Sequence, residues 1–191
     1  MTRIDRITPT VRNAALLAAI TLAPVTTSAR AQATKSAPKL DDPTIVAIFD
    51  AANTWDIETG NIAAKKGSSK AVRDFGAMLA RDHTTVRQQG RDLTTKLGVT
   101  PTPPKDFAMA KDHASAVARL NAASGTAFDR TFLDHEVAYH KAVLDAVTTT
   151  LLPALKNQEV KDLVNKVAPA FQAHMLAAQN LLEKEAKAAK Q

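Results

Sequence analysis

Apolar residues recur along the chain in alternating steps of three and four, and proline and glycine cut that pattern into helical segments. The first opens at Asp42-Pro43, with Asp as N-cap and Pro at the first helical position. It carries the stripe Ile45, Phe49, Ala52 and Ala63 and stops at Gly67. Ser68 or Ser69 caps the second, whose stripe is Val72, Gly76, Leu79, Val86, Gly90, Leu93 and Leu97, followed by Gly98. Residues 99–104 (VTPTPP) cannot be helical, and a shorter helix is expected over 105–122. Thr126 caps the next, expected to run to about Thr150 with Phe128, Phe132, Tyr139, Val143 and Val147 on one face. Leu152-Pro153 breaks the chain again. The last helix starts near Asn157, carries Val160, Leu163, Val167, Phe171, Ala178 and Leu181, and should kink at Pro169.

Four long helices and one short one follow from this pattern. The first two long helices are joined by a few residues, as are the last two, while 28 residues (98–125) separate the pairs. Two antiparallel hairpins joined by one long connection give an all-α, ferritin-like four-helix bundle with one long crossover carrying a short extra helix. Composition agrees: 37 of the 191 residues are Ala and only 4% are aromatic, which favours helices over sheets. Cysteine is absent, so disulfides, thiolate metal sites and cysteine nucleophiles are excluded.

The N-terminus alters the reading of charge. Arg3, Arg6 and Arg12 precede the ten-residue apolar run 14–23 (AALLAAITLA), and Ala29-Arg30-Ala31 fits a small-x-small cleavage site. Residues 1–31 therefore read as a signal peptide, 32–41 as a flexible lead-in and 42–191 as the bundle domain. Ten apolar residues are too few for a bilayer span, which needs about 20. Without the leader the formal charge falls from +6 to +3. That is a weak footprint on an exported chain and argues against nucleic-acid partners.

Each long stripe is interrupted by ionisable residues. His83 fills a slot in the seam of the second helix and His174 one in the last. Glu136 lies at the centre of the third long helix's apolar arc, with His140 one turn on, and Asp56 is central on the first. All five lie mid-helix, so an antiparallel bundle brings them to one level whichever way each helix runs. Unpaired, each would cost several kcal/mol to bury. Imidazole and carboxylate together suit Fe, Zn, Mn or Cu, and two carboxylates offset a divalent charge. The candidate metal ligands are His83, Glu136, His140 and His174, with Asp56 as the opposing carboxylate. Glu58, on the flank, and Asp129, two turns from Glu136, are second choices. Tyr139 and Asp82 are placed to support the ligands from behind. His135 is expected at a half-exposed edge and His113 on the surface. A metal-free network of His–carboxylate hydrogen bonds and ordered water accounts for the same pattern. No Gly-rich phosphate loop, Gly-x-Ser-x-Gly elbow or Ser–His–Asp arrangement occurs, so no catalytic residue is assigned.

The segments WDIETGNIAA (55–64), VRDFGAMLARDH (72–83), FDRTFLDHEVAYH (128–140) and Ala173-His174 carry a resemblance to a family of uncharacterised exported bacterial proteins with a ferritin-like fold, often labelled predicted outer membrane proteins. The resemblance spans roughly 41–182 and implies fold, export and a metal site; it implies no activity. The chain shows no β-barrel pattern, so an outer-membrane label would mean peripheral association. A ferritin-type di-iron centre needs Glu-x-x-His on two helices, but Ala80 precedes His83 and Phe171 precedes His174 at that spacing. A mononuclear or degenerate site is expected instead of a di-iron oxidase. The alternatives are a metal-free structural or stress-related envelope protein and a helical interaction module.

Overall fold

Asp41, not Asp42, caps the first helix: its carboxylate accepts from the Thr44 backbone N–H at 3.2 Å and from the Thr44 hydroxyl at 2.8 Å. The computed structural model describes residues 40–105 and 107–188. Residues 1–31, expected from the sequence to be a signal peptide, and nearly all of the expected lead-in lie outside the described residues. The long helices are α1 (Asp42–Lys66), α2 (Lys70–Leu97), α4 (Gly125–Ala146) and α5 (Gln158–Ala188), with the short α3 (Ala108–Ala122) in the crossover. The architecture is the all-α four-helix bundle expected, with one long connection. None of the described helices is long and apolar enough to cross a membrane.

Two carboxylates stitch the hairpins together. Asp42, displaced from the cap of its own helix, accepts from the backbone N–H groups of Lys156 (2.8 Å) and Asn157 (2.9 Å) at the entry to α5. Asp129, on α4, accepts from Ser68 and Ser69 N–H at 2.7 and 2.8 Å at the entry to α2. Both place negative charge where a helix N-terminus presents unpaired donors. At the opposite polarity, Lys66 donates to the Leu120 and Asn121 carbonyls at the end of α3. Trp55 holds the crossover to α1, with its ring 5.2 Å from Phe107 and stacked on His113 at 5.3 Å.

The helix after α3 ends differently from its sequence reading. Ser124 occupies the N-cap position expected for Thr126, with Gly125 at φ +60°. At the far end the α geometry stops at Ala146 and one π turn follows (Val147–Leu151) before the last residues Leu152–Ala154. The hydroxyls of Thr148 and Thr149 donate back to Leu144 and Asp145 carbonyls, competing with the regular ladder. α5 continues through Pro169.

The core falls into two apolar clusters. One, containing Val72, Leu79, Leu120, Phe128, Phe132 and Leu133, lies toward the α1–α2 turn. The other, containing Ile45, Val46, Val147, Leu155, Val160 and Val164, lies toward the opposite end. A layer of buried polar side chains separates them on every long helix. Beside that layer α1 and α2 come into backbone contact at Gly60 and Gly76. A Cβ on Gly60 would lie 2.7 Å from the Gly76 carbonyl oxygen, and one on Gly76 would lie 2.6 Å from that of Gly60. Gly60→Ala or Gly76→Ala must therefore force the helices apart. Each should lower stability by about 1–3 kcal/mol, the usual cost of overpacking, as read by urea denaturation.

Candidate metal centre

The polar layer consists of Asp56 and its neighbours Asn53 and Thr59 on α1, His83 on α2, Glu136 and His140 on α4, and His174 on α5, all buried. The structure brings all five primary candidates together. The rings of His83, His140 and His174 lie 5.2–5.5 Å apart, centroid to centroid. Each of these histidines offers one ring nitrogen within 4.8 Å of those of the other two, and Asp56, Glu136 and His140 form a second such triplet.

The protonation of each ring follows from its outer contact. Asn53 spends its amide N–H on the Phe49 carbonyl, so the Asn53 Oδ1 that faces His83 Nδ1 at 2.9 Å is an acceptor. His83 therefore carries its proton on Nδ1 and turns a bare Nε2 inward. His140 Nδ1 lies 3.0 Å from the backbone carbonyl of Glu136, which can only accept, so its Nε2 is bare as well. His174 directs Nε2 at Asp82 Oδ2, 3.4 Å away, leaving Nδ1 as the inward lone pair. Among the described residues, seven buried side-chain polar atoms lack a hydrogen-bond partner. Six belong to this layer: His83 Nε2, His140 Nε2, His174 Nδ1, both Asp56 oxygens and Glu136 Oε2. Leaving a buried polar atom unpaired costs about 1–3 kcal/mol, so six in one place is a large debit unless something joins them.

Distance and alignment point the same way. Asp56 Oδ2 lies 3.0 Å from His83 Nε2 and 3.4 Å from His140 Nε2, yet neither pair is aligned as a hydrogen bond. Ligand atoms about 2.0–2.1 Å from one tetrahedral cation lie roughly 3.3–3.4 Å from each other. The donor set fits a metal ion.

Electrostatics divide the two acids. Burial raises the Asp56 carboxyl, but His140 and His83 outweigh it and hold its pKa below the usual carboxylate range. Burial, reinforced by the Asp56 charge, pushes Glu136 well up. The shifts favour the charged form of Asp56 when either imidazole is protonated, and the neutral form of Glu136, whose Oε1 accepts from the Thr59 hydroxyl at 3.0 Å. Burial also lowers His140, and lowers His174 to about 4, helped there by His140 and His83.

The second-choice acids are elsewhere, and this corrects the sequence reading. Glu58 turns away from the bundle axis to pair with His113 Nε2 at 2.8 Å and is half exposed. Asp129 is buried but committed to the Ser68 and Ser69 N–H groups ahead of α2, whose N-cap is Ser69. His113, expected on the surface, is covered by Trp55, with a side chain 10% exposed. Asp82 stands behind His174 as expected. Tyr139 instead ties α4 to α1, its hydroxyl donating to the Ala52 carbonyl at 2.8 Å. Sequence reasoning missed Asn53 and Thr59, which sit one turn either side of Asp56. Phe171, expected in the apolar stripe of α5, stacks on His83 at 5.1 Å.

The metal-free protein carries a pH signature. His140 and His174 bind protons more weakly folded than unfolded, so both contribute a loss of stability as pH falls below about 6.5, continuing for His174 to about 4. Glu136, raised well above its usual 4.5, acts in the opposite sense as pH falls towards that value. In chelator-treated protein, Glu136→Gln should therefore steepen the acid-side loss of stability, as read by urea midpoints between pH 4 and 7.

No curated protein sequence matches the chain significantly. Among solved structures the chain is similar to CopM in the Cu(II)-bound form, with a TM-score of 0.59 and 14% identity over 75% of this chain and 98% of that chain. That likeness is one of fold. A family model described as a domain of unknown function, DUF4142, matches residues 26–181, and the chain belongs to that family.

Proposed function

We propose that this chain is an exported protein that binds one transition-metal ion within its helical bundle. His83 Nε2, His140 Nε2, His174 Nδ1 and Asp56 Oδ2 are its ligands, and Glu136 supplies a second carboxylate once it gives up its proton. The observation that carries this reading is the set of three imidazoles, each fixed by an outer acceptor so that a bare nitrogen faces a common point. Metal-binding histidines have this arrangement, with one nitrogen on the metal and the other N–H donating outward. Ionised Asp56 and Glu136 would neutralise a divalent ion. Three imidazoles with carboxylate oxygen and no thiolate suit Cu(II), Zn, Fe or Mn. Copper comes first, because Cu(II) heads the order of divalent affinities and CopM was captured with Cu(II) bound. The role that follows is binding or buffering of the metal in the periplasm or at the outer envelope, with at most peripheral membrane contact.

Titration of chelator-stripped, untagged protein with Cu(II), Zn(II), Fe(II) and Mn(II) should give one equivalent per chain for at least one of them. His83→Ala should abolish that binding. Asp129→Ala should keep the stoichiometry while losing about 1–3 kcal/mol of stability, the cost of leaving the Ser68 and Ser69 N–H groups unpaired. Substoichiometric uptake of every metal would sink the reading. In that case His83→Leu with His174→Met should be at least as stable as the parent, as happens when a buried polar network is replaced by packing. Export has its own check: intact mass of protein taken from the native envelope should place the N-terminus at Gln32, and a retained Met1 would contradict it.

A further inference from the structure

The five residues of the centre are not equally deep. His174 is 6% exposed, against 0–3% for Asp56, His83, Glu136 and His140. The groups on the outer side of the three imidazoles differ in the same way. Asn53, behind His83, is buried, and so is Glu136, whose carbonyl stands behind His140. Asp82, behind His174, has a side chain 36% exposed, and its contact is the longest of the three, 3.4 Å against 2.9 and 3.0 Å. Asp82 lies on α2 and His174 on α5, so this contact spans the seam between the two hairpins. The other oxygen of Asp82, Oδ1, lies 3.1 Å from the Arg81 guanidinium, in an exposed pair of the kind that holds weakly.

We propose that metal enters the centre through this seam, with Asp82 as the carboxylate that first captures the hydrated ion and His174 as the ligand that receives it. A cation leaving water must exchange each lost water for another oxygen or nitrogen, since shedding charge solvation without replacement is prohibitive. The α2–α5 seam supplies that succession. Asp82 offers an anionic oxygen at the water boundary, His174 stands 3.4 Å behind it with an inward Nδ1 that has no hydrogen-bond partner, and the His83 ring lies 5.2 Å further in, centroid to centroid. The cavity on the α1–α4 side exposes almost only apolar groups, such as Ile48, Ala52, Val143 and Leu151, and offers an ion nothing in exchange for its water. Arg81 opposes capture, because it occupies Asp82 Oδ1 and repels an approaching cation. The proposal rests on the metal-centre reading and adds to it the order in which groups meet the ion.

Stopped-flow mixing of chelator-stripped, untagged protein with Cu(II) tests the route. Association is read by quenching of Trp55, the one tryptophan of the chain and the neighbour of Asp56, or by the ligand-field absorption of bound Cu(II). Dissociation is read by transfer of the metal to excess chelator. Asp82→Asn keeps an acceptor for the His174 N–H and removes only the charge. It should slow association about tenfold while the protein still binds one equivalent of copper. Arg81→Ala frees Asp82 and should speed association. Asp74→Asn, on the same helix and paired with Lys70, should leave the rate as in the parent. An unchanged association rate in Asp82→Asn overturns the route, and faster dissociation alone would make Asp82 no more than a support for His174. Equal slowing by Asp74→Asn also overturns it, because the effect would then be one of overall charge. A parent protein that takes up no copper at equilibrium strikes the copper reading, and this route with it.

Discussion

Taking five ionisable side chains out of water at one level of a helical bundle is the constraint on which the rest of this structure turns. A charge or lone pair in a low-dielectric core must be met from within the protein, because water cannot reach it. The chain meets one side of most of these groups. Asn53 and the Glu136 carbonyl accept from His83 and His140, Asp82 stands behind His174, and Thr59 donates to Glu136. The sides facing the bundle axis are left to each other, and the result is two apolar clusters with a polar layer between them rather than one continuous core.

Such a layer is useful only if the helices are held at fixed separations, since imidazole and carboxylate reach differ by little more than a bond length. The Gly60–Gly76 crossing fixes α1 against α2, and that spacing puts Asp56 Oδ2 3.0 Å from His83 Nε2. The carboxylates of Asp42 and Asp129, each bound to the N–H groups just ahead of a helix of the other hairpin, set the axial register between hairpins. Both acids act through backbone N–H groups at helix starts, which links the ends of the bundle to alignment at its middle.

Much of this was legible in the amino acids alone. His83 and His174 fall in seams otherwise filled by Val, Leu, Phe and Ala, and Glu136 lies between Phe132 and Tyr139 on one arc. Periodicity at 100° per residue is enough to put them inside. It failed for Asp129, which falls on the same arc, because the arc does not say at which level another helix begins; the unpaired donors of Ser68 and Ser69 claim it. It failed for Glu58 and His113 because the crossover, whose path no stripe dictates, brings a histidine back over Trp55. The π turn after Ala146 was equally invisible. A run of three threonines is compatible with an ordinary helix, and the wide turn arises where their hydroxyls back-bond in the bundle.

The sequence by itself determined the helices, their pairing into two hairpins and the set of polar residues at one level. These depend on spacing along a single helix and on loop length, which are local quantities. Tertiary structure decided which acid is favoured in its charged form and which nitrogen of each imidazole is bare. Those choices depend on groups distant in the chain, such as Asn53 behind His83 or Asp82 behind His174, and on the low dielectric created when four helices close around them.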